Sequence, residues 1–263
     1  MFNRLMIVGG NDKTGSEEPV KRLTLEKGNI YTIVGPTGSG KTQLIEDIEC
    51  LSDGFGLTKR KILLDDGLSP DDYRTSYQNR LVSHLSQNMH FILDMSVESF
   101  LKMRLQCTNF NNLSKSTQEI IQCANELSGE KIHGDYSLTK LSGGQSRALM
   151  IADVAINGTT PIILIDEIEN AGIDRLKAME ILVDSHKIVL VVTHDPLLAL
   201  YGDKRIVMKN GGISKIINRN QYEVGLLKDL HDINKITAGI RNDLRIGKEL
   251  KKEGCYELQS VLE

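Results

Sequence analysis

The sequence predicts an α/β fold with a parallel core sheet, N-terminal antiparallel strands and a helical insertion. Three observations carry that prediction. Ile162-Ile163-Leu164-Ile165 and Ile188-Val189-Leu190-Val191-Val192 are apolar throughout, as parallel strands buried on both faces are. Helix-like stretches separate these and the other central runs, which points to crossover connections. Gly35-Pro36-Thr37-Gly38-Ser39-Gly40-Lys41-Thr42 joins the apolar run Ile30 to Val34 to a helical pattern from Gln43 to Cys50. That is strand, phosphate-type loop and helix in the required order.

The elements follow along the chain. β-like runs recur at Leu5–Val8, Ile30–Val34, Lys61–Leu64, Leu81–Leu85, Ile162–Ile165, Ile188–Val192, Ile206–Met208 and Ile213–Ile217. Residues 88–140 read as a mostly helical insertion. Val97, Phe100, Leu101 and Leu105 fall at helical spacing, and Asn109, Asn111, Asn112, Ser114 and Ser116 break the segment. After about residue 218, Leu226, Leu230, Ile233, Ile236, Ile240 and Leu244 form one amphipathic stripe. The expected organisation is a domain over 1–217 and a helical tail over 218–263. An exposed apolar stripe is an aggregation hazard, so the stripe is expected to be covered by its own domain, a second copy or a partner.

Bulk composition sets limits. With 263 residues, 40% apolar and 25% charged, the chain has material for one large core. A formal net charge of −3 gives no support to nucleic-acid binding. The four cysteines, Cys50, Cys107, Cys123 and Cys255, form no C-x-x-C pair and read as reduced thiols of a cytosolic protein. The N-terminal apolar stretch is too short for a signal peptide, and no apolar run approaches the ~20 residues of a spanning helix. The expectation is a soluble, cytoplasmic protein that reaches the inner face of a membrane only through a partner.

Residues 35–42 carry the first chemistry. Gly35, Gly38 and Gly40 let successive backbone N–H groups converge on a phosphate chain, with Pro36, Thr37 and Ser39 completing the loop. Lys41 reaches the β- and γ-phosphates of ATP or GTP, and the Thr42 hydroxyl binds Mg²⁺. Asp166 and Glu167 end a buried strand: the first is placed for the Mg²⁺ shell, the second to polarise an attacking water. Leu141-Ser142-Gly143-Gly144-Gln145 then opens a helical pattern through Ile156, an anion-type site at a helix N-terminus.

With this pentapeptide the chain resembles the ATP-binding cassette (ABC) family, in the P-loop NTPase class, over residues 1 to about 217. The resemblance implies further roles. Gln87, after the run Leu81–Leu85, stands where the family has the glutamine that ligates Mg²⁺ or its water. His194, in Val192-Thr193-His194-Asp195, matches the switch histidine that contacts the γ-phosphate. Ser142, Gly143, Gly144 and Gln145 would complete the ATP pocket of an opposite subunit, so ATP would join two copies head to tail. The resemblance implies an ATPase working on a separate protein. Membrane permease subunits are one such partner, and Met89, Phe91, Ile92, Leu93 and Met95 are candidates to receive one of their helices. A soluble enzyme undergoing assembly or reactivation is the other.

The chain departs from the family's text in three places. The neighbourhood Gly10–Gly15 lacks the usual adenine-stacking aromatic. Asp153 stands where a basic residue is common, leaving Arg147 as the one arginine of its helix start. Ile168-Glu169-Asn170-Ala171-Gly172-Ile173-Asp174 replaces the usual text after Glu167 and is one residue longer before its aspartate, Asp174.

Overall fold

The computed structural model describes residues 3–65, 67, 70, 81–86, 91–107 and 113–249. Gln87, Met89, Asn109, Asn111, Asn112 and Cys255 lie outside the described residues. The chain divides into two compact units, 1–217 and 218–263.

The first unit holds two sheets. β1 (Arg4–Val8) pairs antiparallel with β2 (Arg22–Glu26) and with β4 (Lys61–Leu64), giving a three-stranded sheet in the order β2-β1-β4. The alternation Arg22-Leu23-Thr24-Leu25-Glu26, not among the expected runs, is a strand with Leu23 and Leu25 buried. The second sheet has six strands. Their order is β5 (Val82–Leu85), β6 (Ile162–Asp166), β7 (Ile188–Val192), β3 (Ile30–Val34), β8 (Lys204–Lys209) and β9 (Gly212–Asn218). Its pairs from β5 to β8 are parallel. Asn210 and Gly211, at φ 51° and 87°, turn β8 into β9, the positive-φ hairpin that an Asn-Gly pair favours.

Alternate residues of the core strands face two different clusters, as a period of two requires. Tyr31, Ile33, Leu164, Leu190 and Val192 pack with α1 (Lys41–Glu49) and with Leu5, Ile7, Leu23 and Leu25 of the small sheet. Ile30, Ile163, Ile165, Val189 and Val191 face the helical side. There lie α2 (Val97–Cys107), α3 (Leu113–Leu127), α4 (Gly143–Ile156) and α5 (Arg175–Asp184). Ser114 and Ser116, expected to break the insertion, instead lie within α3. The buried stripe Thr117, Ile120, Ala124 and Leu127 decides for helix over the local turn preference of serine. A short helix α6 (Pro196–Tyr201) follows β7.

The second unit contains one long helix, α7 (Gln221–Arg245). Asn220 opens it with a reciprocal cap: its Oδ1 accepts the Glu223 N–H at 3.0 Å, and Glu223 Oε2 accepts the Asn220 N–H at 3.2 Å. Leu226, Ile233 and Leu244 of the expected stripe are exposed. No helix among the described residues is long and apolar enough to cross a membrane.

Candidate active site

The loop between β3 and α1 is shaped by its glycines. Gly40 caps α1 at φ 96°, and a Cβ there would meet Gly211 Cα at 2.7 Å. Only glycine fits this approach. The Gly211 N–H donates to Ser39 O at 2.8 Å, so the hairpin turn supports the loop from below. Lys41 Nζ donates to Gly35 O at 2.8 Å and Pro36 O at 3.2 Å, holding the ammonium over the loop. Ser39 Oγ is buried with no hydrogen-bond partner among the described residues. Thr42 is exposed in the first turn of α1. A cation, a buried orphan hydroxyl and a helix N-terminus on one loop fit a phosphate chain.

The sheet register brings the carboxylates and the histidine to this loop. Asp166 and Ile33 are both register partners of Val192. Glu167 N–H donates to Val192 O at 3.0 Å, and Thr193 N–H to Ile33 O at 3.3 Å. Asp166, Glu167, His194 and Gly35 therefore gather at the carboxyl ends of β6, β7 and β3, where open α/β folds bind ligands. Glu167 sits at φ 48°, a left-handed conformation that a non-glycine residue adopts at a cost. His194 Nε2 stands 3.8 Å from Glu167 Oε1, within ion-pair range and too long for a hydrogen bond.

Ser142 to Gln145 form a complete capping box at the start of α4. Ser142 Oγ accepts the Gln145 N–H at 3.2 Å, and Gln145 Oε1 accepts the Ser142 N–H at 2.9 Å. Gln145 Nε2 donates to Lys131 O at 3.0 Å, so this side chain is committed to the cap. The N–H groups of Gly143 and Gly144, at the first positions of the helix, have no intrahelical acceptor to use. One turn on, Arg147 donates to Glu167 O and to Ser86 O, both at 2.9 Å. Burial pushes its guanidinium below the ordinary value, and the carboxylates of Asp166, Glu169 and Glu167 push it back up.

The family model described as ABC transporter matches residues 21–170 of this chain. The chain belongs to the ABC transporter family. It is an ATPase of the ABC type with the ABC cassette fold. An uncharacterized ABC transporter ATP-binding protein of Methanocaldococcus jannaschii, MJ0121, is 46% identical over 96% of each chain. Two solved structures share the fold. The ATP-binding cassette MJ0796, in a dimeric post-hydrolysis state bound to ADP and Pi, gives a TM-score of 0.59 at 22% identity, covering 82% of this chain and 99% of that one. The structure of cbiO1 from Clostridium perfringens, part of the ABC transporter complex cbiONQ, gives 0.61 at 20% identity, covering 93% of this chain and all of that one.

Within this ABC cassette several contacts were not visible in the motifs. Asp153, standing where a basic residue is common, is paired: Arg104 of α2 donates to its Oδ2 at 2.8 and 2.9 Å. In the turn Gly10–Gly15, where no aromatic stands, Lys13 donates its Nζ to Gly38 O at 2.7 Å and its N–H to Asn210 O at 2.9 Å. Asp174 caps α5 through the Lys177 N–H at 3.1 Å. Glu169, silent in the sequence, accepts hydrogen bonds from Thr193 and His194. The Asp174 cap is local, but the Arg104, Lys13 and Glu169 contacts depend on tertiary register between distant segments, which local spacing does not encode.

Proposed function

We propose that this chain hydrolyses Mg-ATP between two copies arranged head to tail, as the ATP-binding subunit of a transporter whose membrane subunits are separate chains. The domain over 1–217 is the motor, and 218–263 is an added tail. The juxtaposition of Glu167 and His194 at the carboxyl ends of the core strands, beside the phosphate loop, is the observation that carries the reading.

The chemistry follows from this chain's own groups. The loop N–H groups and Lys41 hold the phosphates and stabilise charge on the transferring phosphoryl. Glu167 accepts a proton from the attacking water as its oxygen bonds to the γ-phosphorus. The bond from that phosphorus to the bridging oxygen breaks, leaving ADP and phosphate. His194 faces the γ-phosphate and keeps Glu167 and the water in place. Mg²⁺, held by Thr42, Asp166 and Gln87, would neutralise negative charge on the phosphate oxygens. Ser142, Gly143 and Gly144 of one copy present their cap to the nucleotide of the other. Preferential binding of ATP to the closed pair is the free energy available for work.

The transporter reading has support in a groove. A cavity of about 260 Å³ is lined by His84, Phe100, Arg104, Met150 and Asp153, between core and insertion. Phe91 packs on Phe100 with ring centroids 5.2 Å apart, and the neighbouring Ile92 and Leu93 are 93% and 49% exposed. Such a groove with an apolar rim suits a partner's amphipathic helix. The replaced text at 168–174 favours a second reading, a soluble ATPase that reactivates another enzyme. Recovery of tagged protein from its native cell separates the two, by membrane subunits or a soluble enzyme among its partners.

Glu167→Gln tests the mechanism directly. It should slow hydrolysis at least ~10²-fold, keep ATP binding and accumulate a closed dimer. Light scattering that finds only monomers at saturating Mg-ATP would sink the sandwich.

A further inference from the structure

The segment after β7 is held by a side chain from another element. Glu169 Oε1 accepts the His194 backbone N–H at 2.7 Å and the Thr193 hydroxyl at 3.0 Å. The Thr193 oxygen in turn accepts the Asp195 N–H at 3.0 Å. Arg175, at the start of α5, pairs with the Asp195 carboxylate, and Asp195 caps α6 through the Leu197 and Leu198 N–H groups. The main chain at His194 is therefore fixed from the very turn that follows Glu167. Its imidazole meanwhile stands 3.8 Å from the Glu167 carboxylate.

The other oxygen, Glu169 Oε2, is buried without a hydrogen-bond partner among the described residues. An unpartnered carboxylate oxygen away from water works against stability. The nearby Arg147 guanidinium gives one reason for an acid here, and what Oε1 holds gives a second. A displacement on the order of 1 Å between reacting groups can cost ~10²-fold in rate. Glu167, already left-handed at φ 48°, and His194 follow the ends of different strands, β6 and β7. The β6–β7 pairing brings the two residues near each other, and cross-links such as this one fix the loop beyond the strand ends.

We propose that Glu169 is a positioning residue for hydrolysis, clamping the main chain of His194 to the turn after Glu167. The inference rests on the role given to His194 above. It accounts for the altered text after Glu167: an acid at this position supplies a direct acceptor for the switch segment.

The test is a set of turnover measurements on the full chain with Mg-ATP. Glu169→Ala should lower kcat by ~10- to 10²-fold with KM within ~3-fold of the parent. Glu169→Gln, whose carbonyl accepts both hydrogen bonds, should stay within ~3-fold of the parent kcat. In a His194→Ala background, Glu169→Ala should add no further loss, because groups acting as one unit are not additive. Thermal melting of each variant separates loss of fold from loss of rate. If Glu169→Ala does not fold, Glu169→Leu, closer in volume and without an acceptor, replaces it. Failure of both to fold makes Glu169 structural and overturns the proposal. So does a folded Glu169→Ala with parental kcat, a Glu169→Gln as slow as the alanine variant, or losses that multiply with His194→Ala. A His194→Ala variant with parental turnover would instead overturn the role of His194, and the inference with it.

Discussion

The phosphate loop and the switch segment leave neighbouring strands of one sheet, yet they are held differently. The loop rests on a buried ionic frame. Fully buried Arg60 donates to Glu18 Oε1 at 2.7 Å, Asp47 Oδ2 at 2.8 Å and Gly211 O at 2.6 Å. Asp47 belongs to α1, Glu18 Oε2 accepts the Ile213 N–H at 2.7 Å, and Gly211 holds Ser39. One guanidinium thus locks helix, hairpin and loop together. The switch side relies on half-exposed groups: the Glu167 and His194 side chains are 26% and 47% exposed. The Gly35–Thr42 loop thus has a fully buried ionic support, while Glu167 and His194 keep partly exposed side chains and depend on a few polar contacts.

Removing the centre of the frame should have the largest effect on stability. Arg60→Met leaves the Glu18 and Asp47 carboxylates buried and uncompensated, and breaking a buried ion pair costs about 3–5 kcal/mol. The variant should melt well below the parent and bind ATP more weakly. Arg60→Lys should fall between, because an ammonium cannot reproduce the planar fork that serves three acceptors. Parental melting for Arg60→Met would mean the frame contributes nothing.

A second buried cation sharpens the point by being poorly compensated. Lys187 has its pKa pushed down from 10.5 to about 8, chiefly by burial, with Asp153 opposing the shift. Between pH 8 and 10.5 the unfolded chain keeps this proton and the folded chain releases it. The contribution of Lys187 to stability therefore rises with pH across that window, and below it the full burial cost is present. That cost is on the order of 3 kcal/mol at most. Denaturant melts of parent and Lys187→Met should differ most below pH 8 and converge towards pH 10.5. A difference independent of pH would mean the lysine is not desolvated as described.

The cap of α4 tests the switch side. Ser142→Ala removes the hydroxyl that accepts the Gln145 N–H, a loss of ~1 kcal/mol. ATP binding by the monomer should persist while ATP-driven dimerisation weakens. Unchanged dimerisation by light scattering would detach Ser142 from the nucleotide of the opposite copy.

Sequence and structure agree where a motif is local. The phosphate loop, the buried strand ending at Asp166 and the Ser142 cap each follow from spacing, because their contacts lie within a few residues. β2 was equally legible in the alternation of Arg22 to Glu26 but is short and flanked by polar residues. Ser114 and Ser116 misled because turn preference is weaker than the buried stripe from Thr117 to Leu127. The ionic frame and the Glu169 clamp were illegible for a different reason. Glu18 and Arg60 are 42 residues apart, and Glu169 and His194 are 25 apart, so only the folded register reveals that they meet.

The smallest effect is expected from the tail. Both apolar clusters of the first unit draw their buried residues from positions between Leu5 and Ile213, so that unit has its own core. Cutting the chain after Asn218 should leave folding and basal hydrolysis within ~2-fold of the parent, since stability follows burial within the unit that remains. The exposed side chains Leu226, Ile233 and Leu244 give α7 an apolar face, and a face of that kind is commonly an interaction surface. If the tail serves docking, the truncated protein should hydrolyse ATP normally and fail to recover its partner. Loss of solubility or a clearly lower melting temperature would instead make the tail part of the structural core. That outcome would redraw the comparison, because the motor would then depend on a segment outside both of its clusters.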